Sequence, residues 1–548
     1  MEFAYAGLHE AIAAAYPSRE ALVWRDRSFT WSELSDRTRR FAGVLAAHGI
    51  GRRTDMTDPA PWESAHHHVA LYLQNGNAYL EGMLGAWKAR AASVNINYRY
   101  VAEELTHVLA DSAAAVVVYQ GCFAERLAEV LPRLPAAPLL IRVDDGSGEA
   151  LLPGAVDYEE ALAAATPLDP AGLSPEDLYV LYTGGTTGYP KGVLWRQADF
   201  VVSALGLVRR DGTDFSSVDE VVARAAAGDR VRTLPAPPFM HGAAHWNALS
   251  TWLSGGTVVI QDHVDRFDPA DVLDTAARHD VTTLLIVGDA FARPLIDELG
   301  HHTHELPRLR HLFSSGAILS APLKQALLDL LPGLRIQDVL GSSESGRQGV
   351  RKTSADEAAR SASFERDSRS VVISEDLLRI LPPGDAELGW LATRGRVPRG
   401  YLGDEAKTRR TFPEIEGHRF AVPGDRARVL ADGTIELHGR DSVTINSGGE
   451  KIFAEEVEHA LKHHPDVHDA LVVGRPSERW GQEVVAVVQL GEGTSTTAES
   501  VVAHASAHIA RYKLPKKVVF VERIQRSPSG KADYRWAAET AVKGASGA

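Results

Sequence analysis

Short apolar runs alternate with helical patterns along this chain, and that alternation limits the fold more than any other feature of the sequence. Val69–Leu73 reads as a strand, and Asn77–Arg90 follows as an amphipathic helix. Ser93–Ile96 is again strand-like, Val101–Asp111 helical and Ala115–Tyr119 a strand. The pattern resumes with a helix over Asp268–His279, a strand at Thr283–Val287, a helix over Ala321–Leu331 and a strand near Arg335–Val339. Strands that alternate with helices imply crossover connections, which predict mostly parallel sheets covered by helices on both faces. The polar segment Arg209–Arg230 reads as a surface excursion.

From about Val429 the texture changes to short strands and turns. A helix over Glu455–His463, strands at Ala470–Val473 and Glu483–Leu490 and a helix over Thr497–Arg511 follow. The expected fold is therefore α/β. A large N-terminal domain of mostly parallel sheets spans residues 1–440, and a small α+β C-terminal domain spans residues 441–548, the two joined near Gly439–Ser442.

Composition excludes several function classes. A net charge of −14 argues against a general nucleic-acid binder, which needs clustered Lys and Arg to neutralise phosphates. The short basic runs Arg37/Arg39/Arg40, Arg409–Arg410 and Lys516–Lys517 read as solvated. No uninterrupted apolar run is long enough to span a bilayer, and the first residues lack a basic leader. With Cys122 the single cysteine, no intramolecular disulfide can form, in agreement with a cytoplasmic location. The histidine groups His66–His68 and His301, His302 and His304 have no carboxylate or cysteine partners at zinc spacing and read as surface residues.

The chemistry begins at Thr183-Gly184-Gly185-Thr186-Thr187-Gly188-Tyr189-Pro190-Lys191-Gly192, directly after the strand-like Leu178–Tyr182. Glycines let the backbone turn tightly and aim N–H groups at an anion, threonines add hydroxyl donors, and Lys191 adds a point charge. No Gly-Lys-Ser/Thr ends the loop, so it is not a Walker A motif. A Gly/Thr cluster alone fits an ordinary turn better; the whole string, with the motifs that follow it, favours a phosphate cradle.

On these residues the chain resembles the adenylate-forming superfamily of acyl-CoA synthetases, firefly luciferase and peptide-synthetase adenylation domains. The resemblance runs from Ser28-Phe29-Thr30-Trp31-Ser32-Glu33-Leu34 to Gly530-Lys531. Gly184 stands where the family usually has serine, which leaves more weight on Thr183, Thr186, Thr187 and Lys191. Together with Val193-Leu194-Trp195, the loop looks like that of actinobacterial fatty-acyl and sterol side-chain CoA ligases.

The resemblance implies roles for residues along the rest of the chain. In Pro237-Pro238-Phe239-Met240-His241-Gly242, His241 would border the acyl carboxylate. Gly316 and Ala317 would line the adenine and acyl pocket. In Asp338-Val339-Leu340-Gly341-Ser342-Ser343-Glu344, Glu344 would hold Mg²⁺ with Thr186, and Ser343 would contact the α-phosphate. Leu340 replaces an aromatic that stacks on adenine. Asp425 would accept hydrogen bonds from the ribose hydroxyls, and Arg440 would contact ribose and phosphate. Ser442 would be the hinge, Gly448 and Gly449 would line the CoA tunnel, and Lys451 would reach AMP. Lys531 would neutralise charge as the adenylate forms. Trp246, Gly288, Phe291, Gly316 and Ala317 are candidates for the acid pocket, and the small residues among them would leave room for a bulky acid.

The expectation is thus a ligase that uses ATP, Mg²⁺ and coenzyme A to activate a small-molecule carboxylic acid, a fatty or other hydrophobic one, through an acyl-adenylate. A homodimer is compatible with it. Two alternatives stand beside it. One is an adenylating enzyme with a changed acid or acceptor: an aromatic acid, a carrier protein, or nitrite activated for diazotisation. The other is a silent nucleotide-binding homologue.

Overall fold

The computed structural model describes residues 2–185, 188–354, 363–440, 443–447, 450–477, 481–527 and 530–543. Thr186, Thr187, Ser442, Gly448 and Gly449 lie outside the described residues.

Two large sheets form the body of the N-terminal part. One has nine strands, and its interior is parallel: Arg232–Pro235 lies between Thr257–Ile260 and Thr283–Ile286, followed by His311–Ser315 and Arg335–Ser342. The other has eight strands, with His68–Tyr72 parallel to Ala92–Asn95 and Ala114–Gln120. Its far edge turns antiparallel at Leu178–Gly185 and Gly188–Arg196. Both sheets bury near-continuous Val/Ile/Leu runs, as strands covered on two faces must. A third, antiparallel sheet of six strands includes Asp425–Val429 and Ile435–Arg440. A fourth, of five strands, belongs to the C-terminal part and pairs Val467–Ser477 with Gly481–Leu490. The α/β class and the division into a large and a smaller domain are as expected.

The early Thr30-Trp31-Ser32-Glu33 string has a local structural reason. The Thr30 hydroxyl accepts from Glu33 N–H and the Glu33 carboxylate accepts from Thr30 N–H, a reciprocal cap that starts the helix Trp31–Ala47.

Three expectations need correction. The helix Asn77–Lys88 is not amphipathic in its setting, because all twelve of its residues are buried. The helix Trp31–Ala47 packs on it and takes away its exposed face. Its charged residues survive burial by pairing: Glu81 accepts from Arg37 Nε at 2.7 Å, Tyr158 Oη at 2.9 Å and Asn77 Nδ2 at 3.0 Å. Lys88 donates to Thr38 Oγ1 at 2.6 Å and pairs with Glu10. Arg37 is accordingly an internal ion-pair partner rather than a solvated surface charge.

His66 and His68 are buried, not on the surface. His66 Nε2 lies 3.2 Å from Asp177, and His68 bridges Ser64 Oγ at 2.8 Å and the Ser112 carbonyl. His68 is interior because the fold supplies partners for both of its ring nitrogens, whereas His66 is held through Nε2 alone, its Nδ1 having no hydrogen-bond partner among the described residues. The Arg209–Arg230 excursion, mostly exposed or half-buried, carries a short helix. Its helix Val218–Ala225 is capped by Ser217 and buries Val221 and Ala225 against the helix Tyr5–Ala15.

Candidate active site

The strands Leu178–Gly185 and Gly188–Arg196, which flank Thr186 and Thr187, pair as an antiparallel hairpin. Thr183 pairs with Lys191 and Gly185 with Gly188, with a register irregularity between the two pairs. Parallel pairing of Val180 with Val94 fixes the base of the hairpin to the second sheet. Lys191 Nζ reaches Asp404 Oδ2 at 2.8 Å. Asp404 in turn caps the helix Glu405–Thr411 by accepting from Lys407 N–H at 2.9 Å. The hydrogen bond from Lys191, then that from Lys407 N–H, holds the Asp404 carboxyl below the usual range.

Glu344 joins the same cluster. Tyr401 Oη donates to its Oε1 at 2.8 Å, and Lys407 Nζ stands 4.1 Å over the Tyr401 ring. Burial lowers the Lys407 ammonium pKa, while the Glu344 charge opposes that shift. Glu344 sits in the turn between Arg335–Ser342 and Gly346–Thr353. That turn is knotted by hydroxyls: Ser342 N–H donates to Ser345 Oγ at 3.1 Å, and Glu344 and Ser345 N–H donate to Ser342 Oγ at 3.3 and 3.2 Å.

Along the preceding strand, the Asp338 carboxylate is buried and engaged by Lys324 and by Arg351 Nε at 3.0 Å. Val339 accepts a 3.2 Å bond from Ser315 Oγ at its carbonyl. Leu340 packs against a cluster containing Val372 and Leu391. Gly341 and Ser342 pair with Arg347 and Gly346 across the hairpin. Asp425, buried, is the cross-strand partner of Arg440. Lys451 lies in the strand Glu450–Phe453, opposite Asn446.

The C-terminal part delivers Lys531 to the large domain. Gly316, at φ +86, ends the strand His311–Ser315, and a Cβ built on it would lie 3.6 Å from Lys531 Cε. The Lys531 loop is braced from behind. Arg526 Nη1 donates to the Gly530 carbonyl at 3.1 Å, and Arg526 Nε pairs with Asp469 at 2.6 Å. Lys462 bridges Asp469 at 3.2 Å and Asp289 of the large domain at 3.7 Å. Burial pushes the Asp469 carboxyl up, but Lys462 and Arg526 outweigh it and hold it well below the ordinary range.

His241 faces the same region from the start of the helix Gly242–Leu253. Burial, reinforced by the Lys531 charge, pushes its pKa down to about 3, so the ring is neutral. Its Nε2 is buried with no hydrogen-bond partner among the described residues. One turn on, His245 Nδ1 bonds the Phe239 carbonyl at 2.6 Å and its Nε2 bonds Tyr179 Oη. Trp246 Nε1 also donates to Tyr179 Oη, at 3.2 Å, which fixes the indole.

The structure brings together Gly316, Lys531 and His241, and separately Lys191 and Glu344 through Asp404, Lys407 and Tyr401. Two acid-pocket candidates read differently in place. Gly288, at φ +52, is a packing glycine: a Cβ there would meet the Ile318 carbonyl oxygen at 2.4 Å and Ala317 Cβ at 2.9 Å. The absence of a side chain there serves this close packing. Phe291 is buried against Phe267, with ring centroids 4.3 Å apart, in the core of the first sheet. Ala317 packs on that core from its edge. Asp404, Tyr401, Lys407, His245 and Tyr179 escaped the sequence reading. Only His245 left a signal, four residues after His241 on one helix.

Comparison with known proteins follows from this geometry. Residues 9–402 match the family described as AMP-binding enzyme, and residues 456–531 match the AMP-binding enzyme C-terminal domain. The medium-chain acyl-CoA ligase Mig of Mycobacterium avium is 49% identical over 544 residues, covering 99% of each chain. A 3-oxocholest-4-en-26-oate–CoA ligase of Rhodococcus rhodochrous is 38% identical, covering 95% of this chain and 93% of that one. Among solved structures, an anthranilate CoA ligase in complex with anthranoyl-AMP superposes with a TM-score of 0.81 at 20% identity, covering 100% of this chain and 98% of the other. At that identity the likeness concerns the fold alone. No helix among the described residues is long and apolar enough to cross a membrane.

Proposed function

This chain belongs to the AMP-binding enzyme family, and on that premise we propose how its site works. It is an ATP-dependent, AMP-forming ligase that joins a hydrophobic carboxylic acid to coenzyme A through an acyl-adenylate. The observation that carries the mechanism is the seat of Lys531, a cation of the small domain placed beside Gly316 and His241 of the large one.

In the first step a carboxylate oxygen of the acid attacks the α-phosphorus of ATP, and the bond to pyrophosphate breaks. Lys531 stands where negative charge gathers on the α-phosphate and carboxylate, and a preplaced cation stabilises such a transition state strongly. Neutral His241 borders the acid, its Nε2 available to a carboxylate oxygen or to the incoming thiol. The hairpin tip Thr183–Gly188 with Lys191 holds the β- and γ-phosphates, and the neighbours Asp425 and Arg440 hold the ribose. Val339, Leu340 and Gly341 back the adenine.

Glu344 fits a Mg²⁺ site of the usual kind, in which one or two carboxylates and the substrate's phosphates share the ion. Its Oε1 accepts from Tyr401, and the neighbouring Lys407 keeps the cluster's charge balanced. When bound, the ion neutralises charge on the phosphates; Glu344 and Thr186 would hold it.

In the second step the C-terminal domain, residues 441–548, turns about Ser442. That motion withdraws Lys531 and presents the Gly448–Gly449 loop and Lys451. The thiolate of coenzyme A attacks the acyl carbonyl, and the bond to AMP breaks. Two half-reactions that need different residues at one centre give a reason for the turn. The curated relatives are named for medium-chain acyl groups and a sterol acid, which supports a hydrophobic acid here.

Pyrophosphate exchange across medium-chain, long-chain, sterol and small aromatic acids tests the proposal. Exchange with the hydrophobic acids, followed by thioester formation with coenzyme A, is expected. ATP binding without exchange for any carboxylate would overturn it.

A further inference from the structure

We propose that Trp195 is a positioning residue that anchors the Ser343–Glu344 turn to the aromatic wall beside the acid pocket. The inference rests on the role given above to Glu344.

Trp195 lies near the end of the strand Gly188–Arg196, fully buried, and its Nε1 donates to the Ser343 carbonyl at 3.0 Å. The backbone N–H groups of Ser342, Glu344 and Ser345 are bonded from within the turn by the Ser345 and Ser342 hydroxyls. Such a knot closes the turn on itself but does not fix it to the protein. Fixing comes from outside: the indole grips the backbone one residue before Glu344, while Tyr401 grips the Glu344 carboxylate.

The same indole meets Trp246 edge-on, with centroids 6.4 Å apart and planes at 88°, and Phe200 at 6.3 Å. Trp246 is held in turn by Tyr179. Trp195 therefore touches both the wall built by the helix Gly242–Leu253 and the turn that presents Glu344. Side chains two or four residues apart share a face of a strand, so Lys191, Val193 and Trp195 line one side. The strand that ends the phosphate hairpin thus also sets the height of the carboxylate turn. An aliphatic residue at 195 could pack but could not bond Ser343.

The test removes the N–H while keeping the ring. In one variant benzothienylalanine replaces Trp195, retaining the fused bicycle with sulfur in place of N–H; the other is Trp195→Phe. Loss of a bond to a partly buried carbonyl such as that of Ser343 is typically felt as up to about a tenfold change in an equilibrium constant. We expect the dissociation constant of ATP with magnesium, measured by calorimetry without acid, to rise about tenfold. The KM for ATP at limiting magnesium should rise in parallel, while the KM for the acid changes less than about twofold. Unchanged nucleotide affinity in the benzothienylalanine protein would overturn the inference, whatever happens to its melting temperature. So would a weakening confined to the acid. Glu344→Ala run alongside separates the two layers: if that substitution leaves magnesium-dependent ATP binding intact, the reading of Glu344 itself fails. If Glu344→Ala weakens binding and the Trp195 proteins do not, only the anchoring role fails.

Discussion

Replacing Lys531 with alanine should separate the two half-reactions. The Lys531 side chain reaches the space above Gly316, whose missing Cβ would lie 3.6 Å from Lys531 Cε. An ammonium and an oxyanion about 4 Å apart attract by about 1 kcal/mol in bulk water and about 4 kcal/mol at the effective dielectric near a protein surface. Lys531 is exposed, so the smaller figure applies while its ammonium is solvated. Acid and nucleotide displace that water when they bind, and the larger figure then applies to the charge that develops on reaction. About 4 kcal/mol corresponds to roughly a thousandfold in rate. We therefore expect Lys531→Ala to lower pyrophosphate exchange by about a thousandfold. Thioester formation from supplied acyl-adenylate, where Lys531 has withdrawn, should change less than about threefold. Single-turnover assays of each step, with both proteins at matched melting temperature, provide the comparison. Equal losses in the two steps would refute the placement of Lys531 in adenylation alone, and exchange kept within a few-fold would refute its electrostatic role.

Other perturbations test the frame that carries the site. Gly288→Ala combines a left-handed backbone, costing about 1–2 kcal/mol for an L-residue, with a contact at 2.4 Å to the Ile318 carbonyl; a loss of about 3 kcal/mol is expected in thermal unfolding. Gly300→Ala near the end of the same helix meets open space and should gain up to about 1 kcal/mol, so similar effects at the two sites would refute the packing argument. Arg37→Met leaves Glu81 buried without its cation, at a cost of about 3–5 kcal/mol in urea titration. Adding Glu81→Gln should restore part of that loss; no restoration would show that the pair matters only through packing. Burial lowers His68 and His245 to about 4 and His241 to about 3, against 6.5 unfolded. Below about 6.5 the unfolded chain takes up protons that the folded chain refuses, so stability holds above that pH and falls as pH drops toward 4. The melting temperature should decline from pH 7 to pH 5, and a flat profile would refute the assignment of neutral buried rings.

The sheet strands were legible because parallel strands buried on two faces read as near-continuous runs of Val, Ile and Leu, as at Val116–Val118 and Leu284–Ile286. The helix Asn77–Lys88 was legible as a helix but not in its burial, since the covering helix Trp31–Ala47 is placed by tertiary packing. His66 and His68 were misread for the same reason: their partners Asp177 and Ser112 lie far along the chain. In the site, the residues carried by contiguous strings, such as Thr183–Lys191 and Asp338–Glu344, could be found from the sequence. The side chains that orient them could not. Tyr401 and Trp195 act through one hydroxyl and one indole N–H, and an isolated aromatic leaves no pattern that separates such a role from simple packing.

Lys191 shows what the structure adds to a motif read from the sequence. The proposed role of Lys191 is that of a phosphate ligand, and its ammonium is paired with Asp404 at 2.8 Å. Around it Lys407 and Glu344 complete a cluster of two cations and two carboxylates. A triphosphate bound at the hairpin as proposed would compete with Asp404 for Lys191, at little cost because the Asp404–Lys191 pair is partly solvated, where ion pairs contribute only about 0–1 kcal/mol. Asp404 thus keeps the lysine extended and aimed before substrate binds at little energetic cost. Asp404→Asn should leave nucleotide affinity unchanged or tighter while slowing ATP association, which stopped-flow binding can read at low and high salt. Strong loss of equilibrium affinity would instead make Asp404 a direct nucleotide or metal contact and refute its role as a placeholder for phosphate.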